Sequence, residues 1–167
     1  PITDLAAFTA WAKTASQSTD PHYYAIIRAD TGKAVGYATY MRIAPQTGVI
    51  EVGSIHLSPA LQGSRASTEA MYLLMKQAFA LGYRRYEWKC NAANVASCNA
   101  ALRLGFTAES IFRQAGVVKG HNRDTAWFSI IDSEWASIKA AYEIWLHPNN
   151  FDGKGQQKQS LKELMVT

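Results

Sequence analysis

The spacing of apolar positions switches along the chain between a helical and a strand period. Ile2, Leu5, Phe8, Trp11 and Ala15 recur at helical spacing, which predicts an amphipathic helix over residues 2–17. Residues 23–29 and 34–41 are rich in β-branched and aromatic side chains, and Asp30-Thr31-Gly32-Lys33 between them predicts a hairpin. Pro45-Gln46-Thr47-Gly48 reads as a second turn, leading into a third strand over 49–57. A helical period returns over 67–81, carried by Ala70, Leu74, Met75, Ala78 and Phe79 and closed by Gly82. Residues 84–89 alternate Tyr86 and Trp88 with charged neighbours, a strand pattern, and 94–104 reads as a short helix ended by Gly105. Two strands, 106–112 and 125–131, are expected on either side of a polar loop, 119–124. Ser133 then reads as the N-cap of a last helix, with Trp135, Ile138, Tyr142 and Trp145 on one stripe up to Pro148. The expected class is α/β (α+β): a mixed, largely antiparallel sheet with helices on both faces. Residues 1–148 form the expected domain, and 149–167 read as a mobile polar tail.

Composition narrows the function classes. The 167 residues suit one domain, and 48% hydrophobic against 18% charged is an ordinary globular balance. No apolar run approaches the roughly 20 residues of a membrane span, and no signal sequence opens the chain. The net charge of +4 is scattered, which suits an anionic ligand but lacks the basic stripe expected for nucleic acid. Cys90 and Cys98 have no metal-ligand spacing, so no metal is expected and a reduced, cytoplasmic protein is the simplest reading.

The chemistry concentrates between Glu51 and Phe106. The third strand ends in Ser58-Pro59, and a loop then opens a helix at Ser67-Thr68-Glu69-Ala70; loop amides and a helix N-terminus make an anion site. Gln62-Gly63-Ser64-Arg65-Ala66-Ser67-Thr68-Glu69-Ala70 resembles the pyrophosphate loop of GNAT acyltransferases. Asn94-x-x-Ser97 followed by Leu104-Gly105-Phe106 resembles their second cofactor segment. Asn122-Arg123-Asp124-Thr125 is similar to the branch containing the ribosomal-protein N-terminal acetyltransferases. The resemblance covers roughly residues 23–131 and implies a GNAT-like sheet. It also implies acetyl-CoA as co-substrate and direct acetyl transfer to a primary amine in a ternary complex. The acceptor would be a protein N-terminus, a lysine or a small amine, with a homodimer left open as the assembly. The other reading is a coenzyme A binder or partner subunit without chemistry. Two features depart from the family pattern. Arg65 and Ser67 stand where the family usually has Gly and then Gly or Ala, so Arg65 either adds a phosphate contact or weakens binding. The chain also begins inside what resembles the family's second helix, so either a segment precedes it or this branch is shorter.

The resemblance assigns roles that compete with plainer ones. Glu51 would be the general base, or else a strand carboxylate paired with a Lys or Arg. A lysine amine, with a pKa of about 10.4, needs such a base more than an α-amine at about 7.7–8.0 does. Ser97 would protonate the leaving thiolate, or bond its own helix backbone. Asn94 would contact pantetheine, cap its helix, or do both. Backbone amides of Ile55 and Leu57 would hold pantetheine, while Gln62, Gly63, Ser64, Arg65, Ala66, Ser67 and Thr68 would hold the pyrophosphate. Arg103 would reach an adenine-side phosphate or sit on a solvated helix face. Strand alternation puts His56 opposite Glu51. Cys98 has no His at motif distance, which disfavours an acyl-cysteine. Trp88, Trp127, Trp135 and Trp145 read as core.

Overall fold

The computed structural model describes residues 3–165, so Ile2 at the head of the expected first helix lies outside the described residues. The first helix, α1 (Leu5–Ala15), is capped by the Asp4 carboxylate, which accepts the Ala7 N–H at 2.8 Å. Strands β1 (His22–Ile27), β2 (Ala34–Ala44) and β3 (Val49–Leu57) follow as an antiparallel meander. Helix α2 (Arg65–Ala80) crosses to β4 (Arg85–Asn91), which lies parallel to β3. Helix α3 (Val95–Arg103), the hairpin β5 (Thr107–Val118) and β6 (His121–Ile131), and α4 (Asp132–Leu146) complete the frame. The six strands form one sheet in the order β1-β2-β3-β4-β6-β5. This is the mixed sheet expected, with its one parallel pair where a helix makes the connection.

Alternation divides the sheet into two faces. Ile50, Val52, Tyr86, Trp88, Phe128 and Ile130 are buried on one of them, beneath α2, α3 and α4. Tyr40 joins that face to α2 by donating its hydroxyl to the Leu74 carbonyl at 2.5 Å, and Tyr72 stacks on Tyr142 of α4 at 5.0 Å. Helix α1 packs on the opposite face at the β1–β2 edge, where Trp11 lies against Tyr23 and Tyr37. No helix among the described residues is long and apolar enough to cross a membrane.

Three expectations are corrected. The polar stretch 119–124 is no loop: β5 and β6 pair out to Val118↔His121, leaving a turn at Lys119-Gly120 with both residues left-handed. Cross-strand pairing overrides the polarity of single residues there. The last helix starts two residues earlier than an N-cap at Ser133 implies; Ile131 is its N-cap residue, and its N–H donates to the Glu134 carboxylate at 3.0 Å. The segment read as a mobile tail folds back onto α4 through a 3₁₀ turn (Pro148–Asn150) and α5 (Leu161–Met165). Its polar residues are spent internally. Asn150 donates to the Trp145 and Gln159 carbonyls and accepts the Gln159 N–H, Trp145 donates its indole N–H to Gln157, and Leu161 is 1% exposed.

Candidate active site

Strand β3 pairs with β4 only from Val49↔Arg85 to Val52↔Trp88, although β3 runs on to Leu57 and β4 to Asn91. Beyond that point β3 stays with β2 as far as Leu57↔Gly36, and β4 stays with β6 as far as Asn91↔Thr125. The two parallel strands therefore diverge. A bulge at the point of divergence, with Ser54 left-handed at φ 47°, adds one residue to β3 against β2 and re-aims the strand. It also changes the side of the sheet on which His56 lies. His56 pairs with Tyr37 and stacks on its ring at 5.3 Å, on the face of Glu51, so the strict alternation that set it opposite Glu51 fails. Farther along, the Ser58 N–H donates to Val35 of β2 at 2.9 Å. By alternation the N–H groups of Leu57 and Ile55 turn away from β2, into the gap between the strands.

The far end of the gap meets the start of α2. Gln62 donates its side-chain amide to the Leu57 carbonyl at 3.0 Å, tying the loop to the end of β3. Gly63 takes the left-handed conformation at φ 64° that a side chain would strain, and Ser64 caps α2 by accepting the Ser67 N–H at 3.1 Å. The Ser67 hydroxyl donates back to the Ser64 carbonyl, and the N–H groups of Arg65 and Ala66 have no acceptor among the described residues. No acidic residue occupies this first turn. Arg103 reaches it from α3, donating through both terminal nitrogens to the Thr68 hydroxyl at 3.1 Å, so one guanidinium adds to the positive end of the helix dipole. Arg65 keeps helical geometry as the first residue of α2. Its guanidinium does not face the loop: it lies over the Phe151 ring at 4.4 Å and donates to the Leu146 carbonyl. The folded C-terminal segment takes the charge that the sequence offered to phosphate.

Helix α3 presents Ser97 to the same region. Ser97 Oγ accepts the indole N–H of Trp88 at 3.1 Å, and its own proton has no acceptor among the described residues. Asn94 caps α3 by accepting the Ser97 N–H at 3.1 Å, and its side-chain NH₂ has no acceptor among the described residues. The Cys90 and Cys98 sulfurs are 3.5 Å apart, and burial raises the Cys98 thiol pKa, which disfavours its thiolate.

On the opposite face, Glu51 is 3% exposed. Its Oε2 takes Arg42 at 2.5 Å and Lys89 at 2.9 Å. Its Oε1 takes neither, and lies 3.8 Å from where a Cβ on Gly53 would sit, at the mouth of the divergence. A second β bulge, with Arg42 left-handed at φ 49° and its N–H held by Asp20, aims Arg42 at this carboxylate. Lys89 also reaches Glu87 at 2.7 Å and lies over the Trp127 ring at 3.6 Å. Burial pushes the Glu87 carboxyl upward, but hydrogen bonds from Lys89 and Arg85 outweigh it and hold it below the usual range. A cleft of about 560 Å³ opens here, lined by Glu51, Gly53, Ser54 and Lys89 on one side and by Phe112, Arg123, Thr125 and Trp127 of the hairpin on the other. Lys89 and the cleft position of Trp127, which is half-buried here and not core, were missed from sequence. The alternation of Tyr86 and Trp88 with Glu87 and Lys89 was the available signal, because it sends the charged pair to the face opposite the core.

These parts lie on opposite sides of one gap: a helix start and Ser97 on the first, a buried carboxylate and an open cleft on the second. The model of the acetyltransferase (GNAT) family matches residues 2–106. The chain belongs to the GNAT acetyltransferase family. A GCN5-related N-acetyltransferase from Brucella melitensis is 50% identical over all of this chain and 76% of its own length, with a TM-score of 0.96. A GNAT-family protein from Chromobacterium violaceum is 44% identical over 81% of this chain and 69% of its own, with a TM-score of 0.76. The spermidine/spermine N-acetyltransferase SpeG from Vibrio cholerae, at 14% identity over 77% of this chain and 75% of its own, shares the fold with a TM-score of 0.64. No curated protein sequence matches the chain. The GNAT protein described here is an acyl-CoA-dependent acetyltransferase.

Proposed function

We propose that this GNAT protein moves an acetyl group from acetyl-CoA to a primary amine by direct transfer in a ternary complex. One observation carries the reading: β3 and β4 diverge between a helix start with two unpartnered N–H groups and the free oxygen of a buried carboxylate. The N–H groups of Arg65 and Ala66, with the Arg103 charge beside Thr68, fit a pyrophosphate, and the outward N–H groups of Ile55 and Leu57 fit the amides of pantetheine. Acetyl-CoA supplies an activated thioester there. The residues of this chain do the rest. Glu51 Oε1 takes a proton from the attacking amine while Arg42 and Lys89 hold its partner oxygen in place. Ser97, fixed by Trp88, gives its free proton to the departing sulfur. Placing both reactants at one gap supplies most of the rate, with about 10²-fold from each proton transfer.

Two free cysteines at van der Waals distance suit a reducing, cytoplasmic setting. The test is calorimetric titration with acetyl-CoA, followed by an acetylation assay on N-terminal peptides, lysine peptides and small amines. At 100 times its dissociation constant, acetyl-CoA should stabilise the fold by about 2.7 kcal/mol. Binding without turnover on any acceptor would reduce the protein to a coenzyme A binder, and no binding at millimolar acetyl-CoA would end the reading.

A further inference from the structure

Arg123 is the cationic side chain of the cleft that the protein leaves unused. Arg42 is paired with Glu51, and Lys89 with Glu51 and Glu87. Outside the cleft, Arg85 forks onto Glu109 and reaches Glu87. The Arg123 side chain makes no ion pair or hydrogen bond among the described residues, and its Nε is shielded from solvent with no acceptor. The indole Nε1 of Trp127 is in the same state. Buried donors are nearly always satisfied, so two orphaned donors lining one cleft point to an acceptor group that the described residues do not supply.

Their placement describes that group. Arg123, Thr125 and Trp127 alternate along β6 with Ala126 and Phe128, which are buried in the core, so the three share the cleft face as a guanidinium, a hydroxyl and an indole N–H. Three cationic side chains line the cleft against one carboxylate, Glu51, one of whose oxygens is already taken by two of them. A second ammonium on the acceptor would meet repulsion here and find no partner. A carboxylate would find a planar fork beside two neutral donors, the geometry to which a guanidinium is matched.

Resting on the transferase reading above, we infer that the acceptor is an amine that also carries a carboxylate, an amino acid or short peptide, with that carboxylate bound by Arg123 and by the Thr125 and Trp127 donors. The amine end lies toward Glu51 and the carboxylate end toward the tip of the β5–β6 hairpin. Polyamines are poor acceptors on this account.

The experiment uses matched pairs: free L-amino acids and dipeptides against their carboxamides, with spermidine as a dication control. Carboxylate acceptors should show kcat/KM about 10- to 100-fold above their carboxamides, the scale of a charge-assisted hydrogen bond. Arg123→Gln should abolish that preference, bringing carboxylate rates down to those of the carboxamides, and should not change acetyl-CoA affinity. Equal rates for carboxylates and carboxamides in the parent protein, a preference that survives in Arg123→Gln, or spermidine as the best acceptor would each overturn the inference. A second readout does not require turnover: calorimetry of N-acetyl amino acids and their carboxamides with coenzyme A present. If acetyl-CoA binds but no amine is acetylated, the transferase reading falls. Arg123-dependent binding of the N-acetyl amino acids then still supports the carboxylate site, and its absence removes it.

Discussion

Where α2, α3 and α4 cover the sheet, Ile50, Val52, Tyr86, Trp88, Phe128 and Ile130 are each at most 7% exposed and pack as an apolar layer. The same strands, one residue out of phase, bury Glu51, Glu87 and Lys89 on the other face, with Arg42 and Arg85 closing the ion pairs at the edges. One face is held by area removed from water and tolerates exchange of shapes. The other is held by charges whose partners must all be present, because each buried ion was taken out of water at a cost that only its partners offset. The divergence of β3 from β4 joins the two, so cofactor chemistry is placed on the apolar side and acceptor chemistry on the polar one.

Removing one partner from the polar layer should be the most damaging change. Lys89→Ala leaves Glu51 and Glu87 buried without their shared cation and should cost about 3–5 kcal/mol in urea unfolding. Ile50→Ala on the helix-covered face should cost about 2–5 kcal/mol by leaving a cavity. The two losses separate by pH. The pKa of Glu87 is lower in the folded state than in the unfolded one, so its stabilising contribution is complete above the unfolded carboxylate pKa and fades as pH falls through the folded value. The Lys89→Ala penalty should therefore shrink in acid, whereas the Ile50→Ala penalty should not. Equal acid dependence would mean that the polar layer is not an electrostatic unit.

This contrast also explains how much could be read in advance. The apolar face was legible: alternating Tyr86 and Trp88 and the stripe through Leu74, Met75 and Ala78 set the strands, helices and core, and residues 49–57 are a strand with those bounds. The polar face was not, because its geometry depends on single-residue events with no pattern of their own. The bulge at Ser54 carries His56 to the side of Glu51, and the one at Arg42 turns a surface cation onto a buried acid. Lys89 carries no motif, and the Asn122-Arg123-Asp124-Thr125 stretch gives Arg123 no role of its own; their meaning comes from which partners the register gives them or withholds. The C-terminal segment misled through its polarity, since Asn150 and Gln157 bond inward.

That segment provides a smaller test, placed at the boundary between cofactor loop and scaffold. Arg65→Ala loses the stacking on Phe151 and the bond to the Leu146 carbonyl, and should lower stability by about 1 kcal/mol. Acetyl-CoA affinity, read by calorimetry at two salt concentrations, should change by less than about twofold. A larger, salt-sensitive loss would return Arg65 to the phosphate site.

The smallest effect is expected at the edge of the polar layer. Glu109 is held at a pKa of about 2 by its fork with Arg85, against the opposing effect of burial and with help from Ser129. Its folded value is depressed, so the contribution is complete above the unfolded value and is lost as pH falls toward 2. Glu109→Gln should lower the melting temperature by about 1–3 °C at neutral pH, with a difference that closes in acid. A gap that widens in acid would have the wrong sign.

Glu51 decides whether the polar face is where the amine loses its proton. The direct measurement is the pH dependence of single-turnover acetyl transfer in Glu51→Gln, with Ser97→Ala as the comparison, so that chemistry and not product release sets the rate. Glu51→Gln should be slower by about 10²-fold near pH 7 and should recover as pH rises through the acceptor amine pKa, where solvent alone suffices to leave the amine neutral. Ser97→Ala should lose less, and rising pH should not repair it. A Glu51→Gln profile that follows the parent at every pH would make Glu51 a structural member of the ion-pair layer and move the chemistry elsewhere.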